Sequence, residues 1–222
     1  RGFSLVHLVM SINIDKISIN MEIAQNLSID TRIATNLRAL RAEHGLSLEA
    51  LATATGVSRS ALSLIERGQN SPTAVVLDRI AVGLNVTLSD LVRQSGGVDQ
   101  AAAPYPLARH ADQAVWTDPG SGYVRRALSP PGFASPIQLV EVNFPAGARV
   151  AFETGPRNTQ VHQQVWVLDG AMDLTVGDAT WQLLSGDCLA MNLDQPIVFF
   201  NPTSQTTRYA VVLVADPSPT TR

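Results

Sequence analysis

Lysine is nearly missing from this chain. Lys16 is the only one in 222 residues, so arginine carries the remaining positive charge. Cysteine is as scarce: Cys188 stands alone, which excludes an intrachain disulfide. Apolar runs are short, and none approaches the roughly 20 residues that a membrane-spanning helix needs. The leading "GFSLVHLVM" follows a single arginine and precedes no small-residue cleavage site, so it makes a poor signal peptide. There is no internal repeat and no glycine-rich phosphate loop. These absences point to a soluble, cytoplasmic protein and away from membranes.

Hydrophobic residues make up 45%, enough for one or two packed cores. The net charge of −3 does not by itself mark a nucleic-acid binder, yet the charge is uneven. Residues 31–93 hold seven arginines against five acids, and residues 104–222 hold seven against ten. A mildly basic front is joined to an acidic rear. Residues 1–30, with "SINIDKISINMEI", are expected to form a strand or a loose arm, and Met10 or Met21 would serve as a natural start.

Residues 31–93 show helical spacing. Ile33, Leu37 and Leu40 recur at i, i+4, i+7, and Leu77, Ile80, Ala81 and Leu84 at i, i+3, i+4, i+7. Ser47, Ser58 and Thr87 are placed to cap helices, and Ser71-Pro72 reads as an N-cap followed by proline at the first helical position. Five short helices are expected. Residues 94–113, rich in Gly, Pro, Ala and Gln, read as a linker. From residue 114 to 222 the pattern changes to eight short strand-like runs, from "IQLVEVNF" to "RYAVVLVA", separated by turn residues. A β-sandwich or barrel follows from that spacing.

Leu48–Arg67, "LEALATATGVSRSALSLIER", has the residues that two helices crossing at a large angle require. Ala52 is small, Gly56 tolerates a left-handed turn, and Leu51, Val57, Leu62 and Ile65 are apolar on facing sides. The segment resembles the helix-turn-helix of the lambda-repressor-like, or xenobiotic-response-element, family. The likeness extends over about 60 residues. It implies that the helix near Arg59–Glu66 enters the DNA major groove. Arg59, Ser60 and Ser63 would then face base edges, with Arg59 able to grip a guanine bidentately. Asn70 would approach the DNA, and Arg38, Arg41 and Thr73 are candidates for phosphate contact. Leu48 stands where the family often has glutamine, which removes one direct contact. Glu66 and Arg67 are expected to pair on the surface.

The rear half resembles the cupins, small double-stranded β-helix barrels, with "WVLDG" and "VGDATWQLLSGD" carrying most of the likeness. A metal-binding cupin has two histidines, a glutamate seven residues before a glycine, and a third histidine on a later strand. Counting from Gly170, the glutamate position holds Gln163. The paired histidines would fall in "PRNT" at 156–159, and the last histidine position holds Ile197. His162 is one residue out of step and would point to the opposite face. No metal and no cofactor are therefore expected, and no catalytic residue is assigned. Gln163, Val165, Val167, Ile197 and Phe199 would face inward, with Arg157 and Asn158 at the mouth. That interior suits a small organic ligand, or is packed shut by its own side chains. Cys188 is expected to be buried, and Trp166 and Trp181 to pack the barrel or a dimer surface.

The fold class is thus α + β with two domains: a five-helix helix-turn-helix domain followed by a cupin-like barrel. The resemblance implies a homodimeric, cytoplasmic transcription regulator acting on double-stranded DNA at a near-palindromic operator. Its barrel would bind a small-molecule effector, dimerise, or both. The alternatives are a cupin-type metal enzyme with a DNA-binding appendage and an antitoxin-like protein-binding module.

Overall fold

A computed structural model describes residues 29–92, 105–153 and 160–216. The proposed N-terminal arm lies outside the described residues apart from Ile29 and Asp30, which already belong to a helix. Arg157 and Asn158 also lie outside them.

Five helices form the front domain. They are α1 (29–43), α2 (Leu48–Thr55), α3 (Arg59–Glu66), α4 (Ala74–Gly83) and α5 (Leu88–Val92). The apolar positions read from the sequence make its core: Ile33, Leu37, Leu51, Leu62, Ile65, Leu77, Ile80, Ala81 and Leu84 are all buried. The caps are local. Ser47 accepts from the Ala50 amide, Ser58 from Ala61, and Thr87 from Asp90, whose carboxylate accepts in return from the Thr87 amide. Gly56 ends α2 at φ 65°, a left-handed conformation that lets the chain turn into α3. One cap differs from expectation. Ser71 and Pro72 precede α4, and its N-cap is Thr73, which accepts from the Val76 amide. The Ser71 hydroxyl instead donates to Asp30 at the start of α1.

Residues 105–109 lead into a single 3-10 turn, His110–Asp112, so the end of the expected linker has some regular structure. Two strands follow that the turn spacing did not reveal, β1 (Val115–Thr117) and β2 (Val124–Ala127). The remaining eight are β3 (Ile137–Phe144), β4 (Arg149–Phe152), β5 (Gln160–Asp169), β6 (Ala171–Val176), β7 (Ala179–Leu184), β8 (Cys188–Asn192), β9 (Ile197–Phe200) and β10 (Thr207–Asp216). They make two antiparallel sheets, in the orders β1-β2-β3-β10-β5-β8 and β4-β9-β6-β7. The core between them includes a run of ring contacts: Trp116, Tyr123, Phe144, Tyr209, Phe199 and Phe152, with centroids 5.7–6.2 Å apart. Gly170, at φ 87°, makes the corner between β5 and β6, where an added Cβ would come 3.1 Å from the Thr207 Cα.

The two halves are docked on each other. Asp118, buried between β1 and β2, accepts from the Ala74 amide at 2.8 Å and so gives α4 a second N-terminal cap from the barrel. Its other oxygen accepts from the Ser121 amide and hydroxyl. Thr87 donates to Gln138 at 3.0 Å, Arg125 donates to Ser89 at 2.6 Å, and Arg79 pairs with Glu153 at 3.0 Å across the exposed edge of the seam.

Candidate functional site

Two regions carry functional chemistry. The first is the outer face of α3. Arg59, Ser60, Ser63, Leu64 and Arg67, with Leu48 of α2, line one shallow cleft. The Arg59 side chain is 70% exposed, and its nearest acid is Glu49 at 3.8 Å, itself exposed. Such a pair is worth little and leaves the guanidinium available. Ser60 lies 3.2 Å from the Ser58 hydroxyl, and Asn70 is exposed just beyond the helix.

The inner side of α3 is anchored by arginines. Arg41 pairs with both oxygens of Glu66, at 2.6 and 3.0 Å, and also donates to the Leu46 carbonyl. The adjacent Glu66 raises the pKa of that guanidinium by its hydrogen bond. Arg38 donates to the Glu66 carbonyl. Arg38 and Arg41 thus hold the C-terminal end of α3, and Thr73 caps α4. The expected surface pair of Glu66 with Arg67 does not form. Glu66 is buried with Arg41 as partner, and Arg67 donates to Gln69.

The second region is inside the barrel. The alternation of β5 follows the sequence: Val161, Gln163, Val165 and Val167 are buried, and His162, Gln164 and Trp166 are exposed. A cavity of about 70 Å³ is lined by Gln163, Ile197 and Phe199. Val165 and Val167 share the buried face but belong to the packed core beside it rather than to the cavity wall. Its other polar walls were not legible: Tyr123 just before β2 and Arg125 on it, Tyr209 on β10, and Asp78, Thr87 and Ser89 from the helical domain. The spacing of Tyr123 and Arg125 in "GYVRRAL" is the one signal that could have found them, since i and i+2 share a strand face.

Burial pushes the Tyr123 and Tyr209 phenols well above the usual tyrosine value, and the nearby Arg125 partly offsets this. Burial also lowers the Arg125 guanidinium, although it stays charged at any physiological pH. Gln163 donates only a long contact, 3.8 Å, to the Met191 sulfur.

A metal of the cupin kind does not fit this donor set. Gln163 is a neutral amide and Ile197 has no donor, and among the described residues no group of three or more His, Cys, Asp or Glu could hold an ion. Cys188 corrects another expectation, because it is exposed. It lies on the edge strand β8 opposite Trp166, and both side chains take the outer face of the sheet. Among the described residues no helix is long and apolar enough to cross a membrane.

Comparison with known proteins agrees with this architecture. The helix-turn-helix family HTH_3 matches residues 37–91. The HTH-type transcriptional regulator SutR of Escherichia coli is 32% identical over 178 residues, which is 80% of this chain and 91% of that protein. An uncharacterized HTH-type transcriptional regulator, y4dJ of Sinorhizobium fredii, is 37% identical over 60 residues, 27% of this chain and 78% of that one. A crystal structure of an HTH_3 family transcriptional regulator from Vibrio cholerae has the same fold, with a TM-score of 0.66, 23% identity and coverage of 85% of this chain and 98% of that one. The chain belongs to the HTH-type transcriptional regulators, with a helix-turn-helix of the xenobiotic-response-element type in front of a domain of two antiparallel β-sheets.

Proposed function

We propose that the protein reads a near-palindromic operator as a cytoplasmic homodimer and adjusts that reading to a small-molecule effector in the barrel. Arg59, Ser60 and Ser63 face the bases from α3, and Asn70 approaches the backbone. Arg38, Arg41 and Thr73 support the helices that present α3, and any phosphate contact they make is secondary to that role.

The observation that carries the effector reading is the composition of the cavity wall. It is built from both domains at once, with Asp78, Thr87, Leu88 and Ser89 facing the barrel interior. A ligand there touches the helical domain directly. It shifts the population of DNA-binding arrangements by as much as it prefers one of them. The exposed Trp166 and Trp181 offer apolar area for a second copy. The 32% identity to the HTH-type transcriptional regulator SutR supports a regulator rather than an enzyme.

The test is selection of bound sequences from a random DNA pool, followed by footprinting of the selected site. Two protected half-sites about 34 Å apart are expected. Protection of one asymmetric half-site, or no enrichment of any sequence, would count against the reading. Stoichiometric iron, manganese or zinc in purified protein would revive the enzyme alternative.

A further inference from the structure

The cavity is apolar over most of its wall, and its polar groups are unevenly distributed. Phe144, Val142, Ile197, Phe199, Val211 and Leu213 supply the apolar side. On the β2–β10 side three hydrogen-bond donors come together. Tyr123 and Tyr209 are each 4% exposed and both line the cavity, and the described residues supply no hydrogen-bond partner to either hydroxyl. Beside them, Arg125 has five N–H donors, and the bond to Ser89 is its one side-chain partner among the described residues. No described carboxylate pairs with it. The two phenols and the guanidinium lie within electrostatic reach of one another. A guanidinium and two neutral hydroxyls lining one small space are complementary to a single negative charge.

Size narrows the ligand. A cavity of about 70 Å³ admits a compact molecule. Asp78, which has a partner of its own, lines the helical side of the same space. We propose that this cavity binds a small organic monocarboxylate, with its head on Arg125 and the Tyr123 and Tyr209 hydroxyls and its body against the apolar wall, and that α5 closes over it. The proposal rests on the cavity being the effector site. Because Leu88 and Ser89 form part of the wall, the bound acid stabilises the docked position of α5.

The test uses the full chain with butyrate and benzoate as probes, and butyramide and benzamide as neutral counterparts of the same shape. Calorimetry is expected to show binding of the acids at least about 10-fold tighter than the amides, the worth of a charge-assisted hydrogen bond. Arg125→Gln should weaken the acids about 10- to 100-fold and leave the amides alone. Should that variant fail to fold, Tyr123→Phe and Tyr209→Phe, which keep the rings, should each weaken the acids several-fold. Amide hydrogen exchange of residues 88–92 should slow when butyrate is bound. Equal binding of acids and amides overturns the anion assignment while leaving a small-molecule pocket in place. Binding by no probe of either charge removes the pocket reading as well. Unchanged exchange in α5 with butyrate bound overturns its role as the lid.

Discussion

Arg59 stands on the outer face of α3 with most of its side chain in water, whereas Arg125 stands inside the barrel against two tyrosines. The first charge is hydrated and the acid beside it, Glu49, is loosely placed, so it costs little to hold. The second is partly stripped of water, and each contact it makes is correspondingly stronger. An exposed arginine takes its meaning from its place in a motif. An enclosed one takes its meaning from whatever fails to neutralise it. The front domain presents its chemistry outward, the rear domain inward, and α4 and α5 face both.

Several substitutions would break or sharpen that contrast. The largest effect should come from Glu66→Ala. It leaves Arg41 without its bidentate partner under α3, and loss of one member of such a pair costs about 3–5 kcal/mol. Urea denaturation measures this, and a loss below about 1 kcal/mol would show that α3 is held mainly by its apolar contacts. Next, Arg59→Ala should weaken operator binding by about 1–3 kcal/mol and relax preference at one base pair, with stability unchanged. An equal loss on every DNA sequence would make Arg59 a phosphate contact instead.

The enclosed region predicts an alkaline effect. Tyr123 and Tyr209 have folded pKa values raised above the unfolded value of about 10. Above that pH the unfolded chain ionises first and binds fewer protons, so stability falls as pH rises. The slope reaches at most about 1.4 kcal/mol per pH unit for each tyrosine. Melting curves of wild type and Tyr123→Phe above pH 10 check it; the variant should be the less pH-dependent of the two. The smallest effect belongs to the rim of the seam. Arg79→Ala removes an exposed pair with Glu153 and should cost under about 1 kcal/mol, with its remaining effect lost at high salt.

The helical domain was legible nearly to the residue because its signals are local. Apolar spacing of three and four, caps one turn from their targets and a glycine at the turn all act within a few positions. The corrections came where a partner is distant in sequence. Glu66 is claimed by Arg41, 25 residues away, rather than by its neighbour Arg67. The face of β5 could be assigned from alternation alone, which placed Gln163 and His162 correctly on opposite sides. The cavity could not be read in full, because Arg125 and Tyr209 meet only through sheet order, β2-β3-β10-β5. Cys188 was misjudged because its exposure depends on β8 lying at an edge, which composition does not encode.

The carboxylate of Asp118 at the head of α4 bears on how these two halves came to be one protein. A ribosome delivers the helices first, and the Ala74 amide then waits for a residue 44 positions downstream. Until that acid emerges, the first turn of α4 has only Thr73 to hold it. Recombination that moved the helical domain onto a different partner would transfer an incompletely capped helix, and a new partner would have to offer an acid at the same place. The front domain therefore has the outline of an interchangeable module but is tied by Asp118, beside the other contacts of the seam, to the barrel with which it is inherited.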